Sequence, residues 1–218
     1  MKRFIKITAI SFVLLALIGV GYGAVGYWDA IRHANDYTQR ADELIAEGHG
    51  PKALGAARLH QLILVQDPGF WEHGGIDLAT DGAGLTTISQ SLAKRLGFEE
   101  FRPGIGKIRQ TGFAFGLENQ LDKEQIAALW LDTVEIGRGP DGWITGFFEA
   151  SRRVYGKPPA ELADDEFLRL VAVLIAPGQY RLLEEDEALD QRTSRISRLI
   201  AGECAPNGQK DVWLEGCI

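Results

Sequence analysis

The sequence predicts a mainly α-helical domain behind one N-terminal membrane-spanning helix. Three observations carry this expectation. The 22 positions from Ile7 to Trp28 hold no charged residue. Further on, apolar residues recur at i, i+3, i+4 and i+7 in several separate stretches. No strand-rich section and no internal repeat interrupts them.

The uncharged run is about 33 Å long as a helix, enough for a hydrocarbon core of roughly 30 Å. Tyr22, Tyr27 and Trp28 cluster at its distal end, and Lys2, Arg3 and Lys6 precede it. The positive-inside rule then leaves the N-terminus in the cytoplasm and everything after about Asp29 outside it. A cleaved signal peptide is the competing reading, but no clean A-x-A site follows, and the run exceeds a usual signal core. Residues 1–28 are therefore read as cytoplasmic tip and anchor. Residues 29–58 are a connector with one helix, 59–202 the main domain and 203–218 a C-terminal tail.

In the connector, Asn35 and Asp36 are candidate caps, and Tyr37, Ala41, Leu44 and Ile45 form a stripe that Gly48, Gly50 and Pro51 end. The run Leu62-Ile63-Leu64-Val65 leads into QDPGFWEHGGID, then a Gly-rich turn, Asp81–Gly84, and a helix from about Thr86. Asp122 with Gln125 gives a capping-box pattern, followed by Ile126, Leu129, Trp130, Thr133 and Val134 at helical spacing. Gly137 and Gly139 end that helix, and another is expected from about Gly142 to Val154. Asp164 is expected to cap a strong stripe of Phe167, Leu170, Val171, Leu174 and Ile175, which Pro177 stops. A last helix is expected over roughly Glu185–Ala201.

At 218 residues and 45% hydrophobic content the chain fits one domain and is neither a disordered polyelectrolyte nor a polytopic membrane protein. Its net charge is −7, and setting aside Lys2, Arg3 and Lys6 leaves −10 for the body. Nucleic-acid binding by bulk phosphate attraction is therefore not expected. Cys204 and Cys217 are the only cysteines. In an oxidising compartment they either pair into a short C-terminal loop or remain free thiols.

Three clusters can carry chemistry. The first is Gln66, Asp67, Glu72, His73 and Asp77, interleaved with Phe70, Trp71 and glycines. Acid–base work on sugars needs paired carboxylates, and Asp67 and Asp77 are candidates. The bland alternative is that Asp67 caps a turn with Pro68-Gly69, and that His73 bonds a backbone carbonyl. The second is Thr86, Thr87, Ser89 and Gln90 with Lys94 and Arg95. Hydroxyls and an amide at a helix start, followed by a lysine, suit an anion. Ordinary N-capping with Lys94 on a solvated face is the alternative. The third, Lys107, Arg109 and Gln110, is a basic spot on an acidic body.

Taken in order, these clusters resemble the peptidoglycan glycosyltransferases of glycosyltransferase family 51. The family's E-D-x-x-F-x-x-H-x-G-x-D corresponds to Gln66, Asp67, Phe70, His73, Gly75 and Asp77. Its G-G-S-T-I-T-Q-Q-x-x-K corresponds to Gly84 through Ser91 and Lys94. R-K-x-x-E with a later L-E falls on Gly106, Lys107, Gln110, Leu117 and Glu118. The stretch LDKEQIAALWLDTVEIGRG, then Arg153, Tyr155, Gly156 and Lys157, then Leu162, Glu166, Leu174, Ala176, Pro177, Tyr180 and Arg192, continue in family order. The resemblance covers roughly residues 60–200. It implies a lysozyme-like, mainly α fold and action on lipid II outside the bacterial cytoplasmic membrane, building glycan strands. It implies pyrophosphate or sugar binding by His73, Thr86, Thr87, Gln90, Lys94, Lys107 and Arg153. A divalent metal at the pyrophosphate is the one cofactor it raises, and other cell-wall synthesis proteins are the further partners.

Three departures set this chain apart from that pattern. The family's general base falls on Gln66, whose amide cannot accept a proton at neutral pH. The second family glutamate falls on Gln110. The link from Asp77 to Gly84 is shorter than the family's usual one. Asp67 is the neighbouring carboxylate that can stand in as base only if the backbone shifts. The resemblance therefore implies either a divergent transferase or a weakened homologue that binds lipid II or glycan as a scaffold or regulator.

Overall fold

The computed structural model describes residues 2–140 and 142–218, and the side chains of Lys2 and Arg3, part of the orientation argument, lie outside the described set. The chain is mainly helical, as expected. The first helix, α1 (Lys2–Arg32), contains an apolar stretch of 23 residues, Ile10–Arg32, with mean hydropathy 1.9. Phe12, Leu15 and Val20 project from it into the surroundings, each more than two-thirds exposed.

A one-residue break at His33 leads into α2 (Ala34–Ala46), so Asn35 and Asp36 lie in its first turn and not at its cap. There Asp36 still complements the helix dipole. Next come α3 (Ala56–Gln66), α4 (Ile88–Gly97), α5 (Gly106–Gln120) and α6 (Lys123–Thr133). The apolar run Leu62–Val65 is the buried face of α3. The capping box of α6 forms as read: Asp122 accepts from the Gln125 amide at 2.8 Å, and Gln125 Oε1 accepts from the Asp122 amide at 3.1 Å. Phe113, Leu92, Leu117, Ile126 and Leu129 from α4, α5 and α6 meet in the core.

The expected helix from Gly142 is corrected. Residues Glu135–Gly139 (β1) and Gly142–Thr145 (β2) form an antiparallel hairpin, with Arg138 opposite Trp143 and Gly137 opposite Ile144. Trp143, Ile144 and Thr145 are strand formers, and Gly146 (φ +90°) separates them from α7 (Phe147–Tyr155). The glycines at 137 and 139 thus lie within a strand and do not terminate α6.

Helix α8 (Asp164–Val173) is capped differently from the expectation: Ala163 precedes it, and the Glu166 carboxylate accepts the Ala163 amide at 2.8 Å. Asp164 is its first residue and pairs with Arg58 at 2.8 Å. The helix stops at Val173, before Pro177, which frees Leu174 and Ile175 for the site described below. Helix α9 (Glu187–Ile200) starts on Asp186, whose carboxylate accepts from the Ala188 and Leu189 amides. Beyond it Cys204 and Cys217 form a disulfide, which settles the open question of free thiols. Closing a loop of that span contributes about 3 kcal/mol in the chain-entropy picture.

The distal half of α1 lies against α5 along a glycine seam. A Cβ on Gly112 would sit 1.9 Å from the Gly23 carbonyl oxygen, and one on Gly26 would sit 2.1 Å from that of Arg109. The backbones approach this closely because neither helix carries a side chain there, the small-residue logic of helix pairs in membranes. Gly112→Val is expected to force α1 and α5 apart and cost roughly 3 kcal/mol. Thermal unfolding in detergent checks this, with a drop of roughly 6–12 °C expected for a chain of this size. An unchanged midpoint would show that the seam is not tight.

Candidate functional site

A cleft in two connected halves, about 340 and 330 Å³, runs beside the start of α4. Gln66, Thr86, Ser91, Trp130, Leu174 and Ile175 line both halves, so Gln66 stands at their junction. It reaches that place as the last residue of α3, and its Nε2 donates to the Val171 carbonyl of α8 at 3.1 Å.

The second half is cationic. Lys94 and Arg95 come from the last turns of α4, Lys107 from the first turn of α5, and Glu135 from the start of β1. Three cations face one carboxylate in a protein whose net charge is −7. Lys107 donates to Thr86 Oγ1 at 2.7 Å. Burial, and then the charge of Lys94, hold the Lys107 ammonium below the usual lysine range. Arg95 is pushed down to about 10 by burial, against the opposing pull of Glu135, and so remains charged at neutral pH. Its Nε donates to Thr133 Oγ1 at 3.3 Å, while Nη2 is buried with no partner within the protein. Among the described residues neither Lys94 nor Lys107 is ion-paired with a carboxylate. Like charges held together without counter-charge cost stability, and an anionic ligand relieves that cost.

Gln110 is buried at the wall of this half. Its Nε2 donates to the Gln90 carbonyl at 2.6 Å, and its Oε1 has no partner. Gln90 itself lies beneath the cleft, closing the capping box of α4: Thr87 Oγ1 accepts from the Gln90 amide at 3.1 Å, and Gln90 Oε1 accepts from the Thr87 amide at 3.3 Å. Thr87 also donates to the Gly75 carbonyl at 2.8 Å and borders the first half of the cleft.

The Asp67 side chain is wholly buried and accounted for. Its carboxylate accepts the Ile88 amide at the start of α4 at 2.8 Å and the His73 Nε2–H at 2.9 Å. His73 Nδ1 accepts the Gly75 amide at 3.1 Å, which places the ring proton on Nε2. The His73 carbonyl in turn receives Lys123 Nζ at 2.6 Å, and Lys123 also pairs with Glu118, which accepts a short hydrogen bond from Ser89. Asp67 does open the expected Pro68-Gly69 turn, its carbonyl accepting the Phe70 amide at 2.9 Å, while its carboxylate bonds the start of α4; His73 bonds that carboxylate through Nε2 and not a backbone carbonyl. Asp77 closes its own turn by accepting from the Ala79 and Thr80 amides. Burial raises its pKa, but those amides outweigh it and leave the carboxyl below the usual range.

Asp67→Ala should therefore act on the fold. It leaves the Ile88 amide and His73 without their partner, at a cost of roughly 3 kcal/mol, readable by chemical denaturation. A loss of function with unchanged unfolding would instead make Asp67 a working group of the site.

Of the residues singled out in the sequence, Gln66, Thr86, Thr87, Lys94, Arg95, Lys107 and Gln110 border the cleft. Asp67, His73 and Gln90 support it from below. Arg153 lies apart, paired with Glu149 at 2.5 Å beside Pro140 and Leu183. Sequence reasoning gave no role to Glu135 or Trp130, and read Leu174 and Ile175 as helix core. The signal that could have found the rest of this wall is the i, i+4 spacing of Ser91 and Arg95 on α4, which puts both on the face that carries the cleft. Among the described residues no group of three or more His, Cys, Asp and Glu side chains could hold a metal ion. The cleft's residues thus do not fit a protein-held metal, with Glu135 as their sole anionic oxygen donor.

The profile of the Transglycosylase family matches residues 36–201. The chain is 32% identical over 149 residues to a biosynthetic peptidoglycan transglycosylase of Aeromonas hydrophila, covering 63% of this chain and 62% of that protein. It is 30% identical over 165 residues to the protein of that name in Neisseria gonorrhoeae, covering 69% and 68%. It is 31% identical over 157 residues to penicillin-binding protein 1A of Aquifex aeolicus, covering 65% of this chain and 21% of that one. The chain spans about three-fifths of the length of the first of these relatives. With three-quarters of its residues under the family profile, this chain belongs to the transglycosylase family of peptidoglycan glycosyltransferases.

Proposed function

We propose that the cleft binds the pyrophosphate and sugar of lipid II and transfers glycan only slowly, because the general base of the reaction is missing. One observation carries the reading: Lys94, Arg95 and Lys107 converge on the second half, beside Thr86, with Glu135 as their only counter-charge. In glycan polymerisation an acceptor hydroxyl loses its proton as its oxygen attacks the anomeric carbon, and the lipid pyrophosphate leaves with the bonding pair. The cations suit the leaving pyrophosphate. No carboxylate stands at the junction, where Gln66 is tied to Val171. Asp67, fully buried, does not reach the cleft lining. General-base catalysis is worth typically about 10²–10⁴ in rate.

Helix α1 anchors the chain in this reading. Its apolar side chains are exposed from Ile10 to Val20, and Ile108 and Phe115 of α5 line an apolar groove with its distal half. The Cys204–Cys217 disulfide agrees with a domain on the oxidising side of a bacterial cytoplasmic membrane. A second reading, lipid II or glycan binding without any transfer, is favoured by Gln66 and Gln110 together. The 218-residue chain in detergent, given labelled lipid II, separates them. Slow chain formation with retained binding supports the first reading, and binding with no chains supports the second. No binding overturns both.

A further inference from the structure

The residues after α9 fold into a closed loop. Asp211 organises them: its carboxylate accepts the amides of Asn207 at 2.8 Å, Glu215 at 2.7 Å and Gly216 at 2.9 Å. Cys204 and Cys217 close the loop, and Arg195 and Arg198 of α9 hold it by donating to the carbonyls of Trp213 and Cys217. The closed loop lies on the short segment between Asp77 and Thr87. The Gly82 amide donates to the Gly208 carbonyl at 3.1 Å, and the Gly84 amide to that of Gln209 at 2.8 Å. The Gln209 side-chain Nε2 donates back to the carbonyls of Gly84 and Asp77.

The fit depends on glycine. Gly84 has φ +69°, and a Cβ on it would meet Val212 Cγ1 at 2.4 Å. Val212, Gly82 and Ala83 are themselves walls of the first half of the cleft, which Gln66 also lines. Arg192 borders the same space beneath the loop, with Nε and Nη1 buried and lacking protein partners.

We propose that the disulfide-closed loop 204–217 is a wall of the substrate cleft, with Val212 as a positioning residue that sets the shape of its first half and holds the 82–86 segment against the ligand. The ligand named for it, a lipid-linked sugar pyrophosphate, rests on the function proposed above. The wall itself does not.

The test uses the full chain in detergent, with Cys204→Ser/Cys217→Ser and, separately, Val212→Asp, which keeps the disulfide. Hydrogen exchange at Gly82 and Gly84 should quicken about tenfold or more in the double serine variant, while Leu170 to Ala172 in α8 stay protected. Lipid II affinity should fall about five- to tenfold in both variants, and in Val212→Asp it should fall without a change in exchange at α8. Unchanged exchange at 82 and 84 overturns the docking. Faster exchange with unaltered lipid II affinity in both variants overturns the wall. If the unsubstituted protein binds no lipid II, the functional reading fails, and the exchange result alone decides whether the loop holds the segment.

Discussion

Gln66→Glu is expected to turn a slow or silent protein into a glycan polymerase, raising chain formation from lipid II by about 10²–10⁴. In the proposed reaction the acceptor hydroxyl would lose its proton at the junction of the two half-clefts, which Gln66 lines from both sides. A carboxyl of the same length would face the Val171 carbonyl that Gln66 Nε2 now contacts at 3.1 Å. Two oxygens cannot share that contact without a proton between them. The new glutamate therefore either keeps a proton there, with a raised pKa, or swings into the cleft as a carboxylate. Only the carboxylate form can take the acceptor's proton, so activity of the variant is expected to rise with pH as that carboxyl ionises. The pH–rate profile of the variant reads that pKa directly. A variant that binds lipid II as the parent does, yet forms no more chains, would show that Gln110 or the short Asp77–Gly84 link also limits the reaction.

Lys94→Ala/Lys107→Ala is expected to abolish lipid II binding in practical terms. Charge-assisted hydrogen bonds contribute about 1.5–3 kcal/mol each, so losing two lowers affinity by about 10²–10⁴. Stability should move the other way or hardly at all, because the two ammoniums repel each other and Lys107 is half-buried. The sign of the pH dependence follows. With its pKa depressed in the fold, Lys107 destabilises the protein while charged, and that cost fades as pH rises through the depressed value. Anion binding fades over the same range, at lower pH than for an ordinary lysine. Isothermal titration with lipid II, and with inorganic pyrophosphate as competitor, measures both effects. Equal affinity in the double variant would move the anion site elsewhere.

Much of the architecture was legible because it is local. The uncharged run of α1, the Asp122–Gln125 box and the stripe of α8 each need only their own residues. The pairing of β1 with β2 was missed because its strands are short and a Gly-rich, Trp-containing stretch also reads as a helix start. The Gly23–Gly112 seam has a visible sign, small residues on one face of each helix, but which helix meets which is a tertiary fact. The same holds for the site. Lys94 and Lys107 were readable as two separate basic spots, and only the family resemblance joined them as anion-binding residues. The burial of Asp67 beneath the cleft was not, since its partners, His73 and the Ile88 amide, lie 6 and 21 positions away. The tail was the least legible part: nothing in residues 203–218 announces that Val212 will meet Gly84.

The central claim, that lipid II sits in this cleft, is tested most directly by photocrosslinking on the unsubstituted protein. A lipid II analogue with a photoreactive group on its sugar, irradiated and followed by peptide mapping, should label the segments around Gln66, Thr86–Arg95 and Lys107–Gln110. Unlabelled lipid II and pyrophosphate should both suppress that labelling. Labelling confined to α1, or spread over the surface and indifferent to pyrophosphate, would contradict the account.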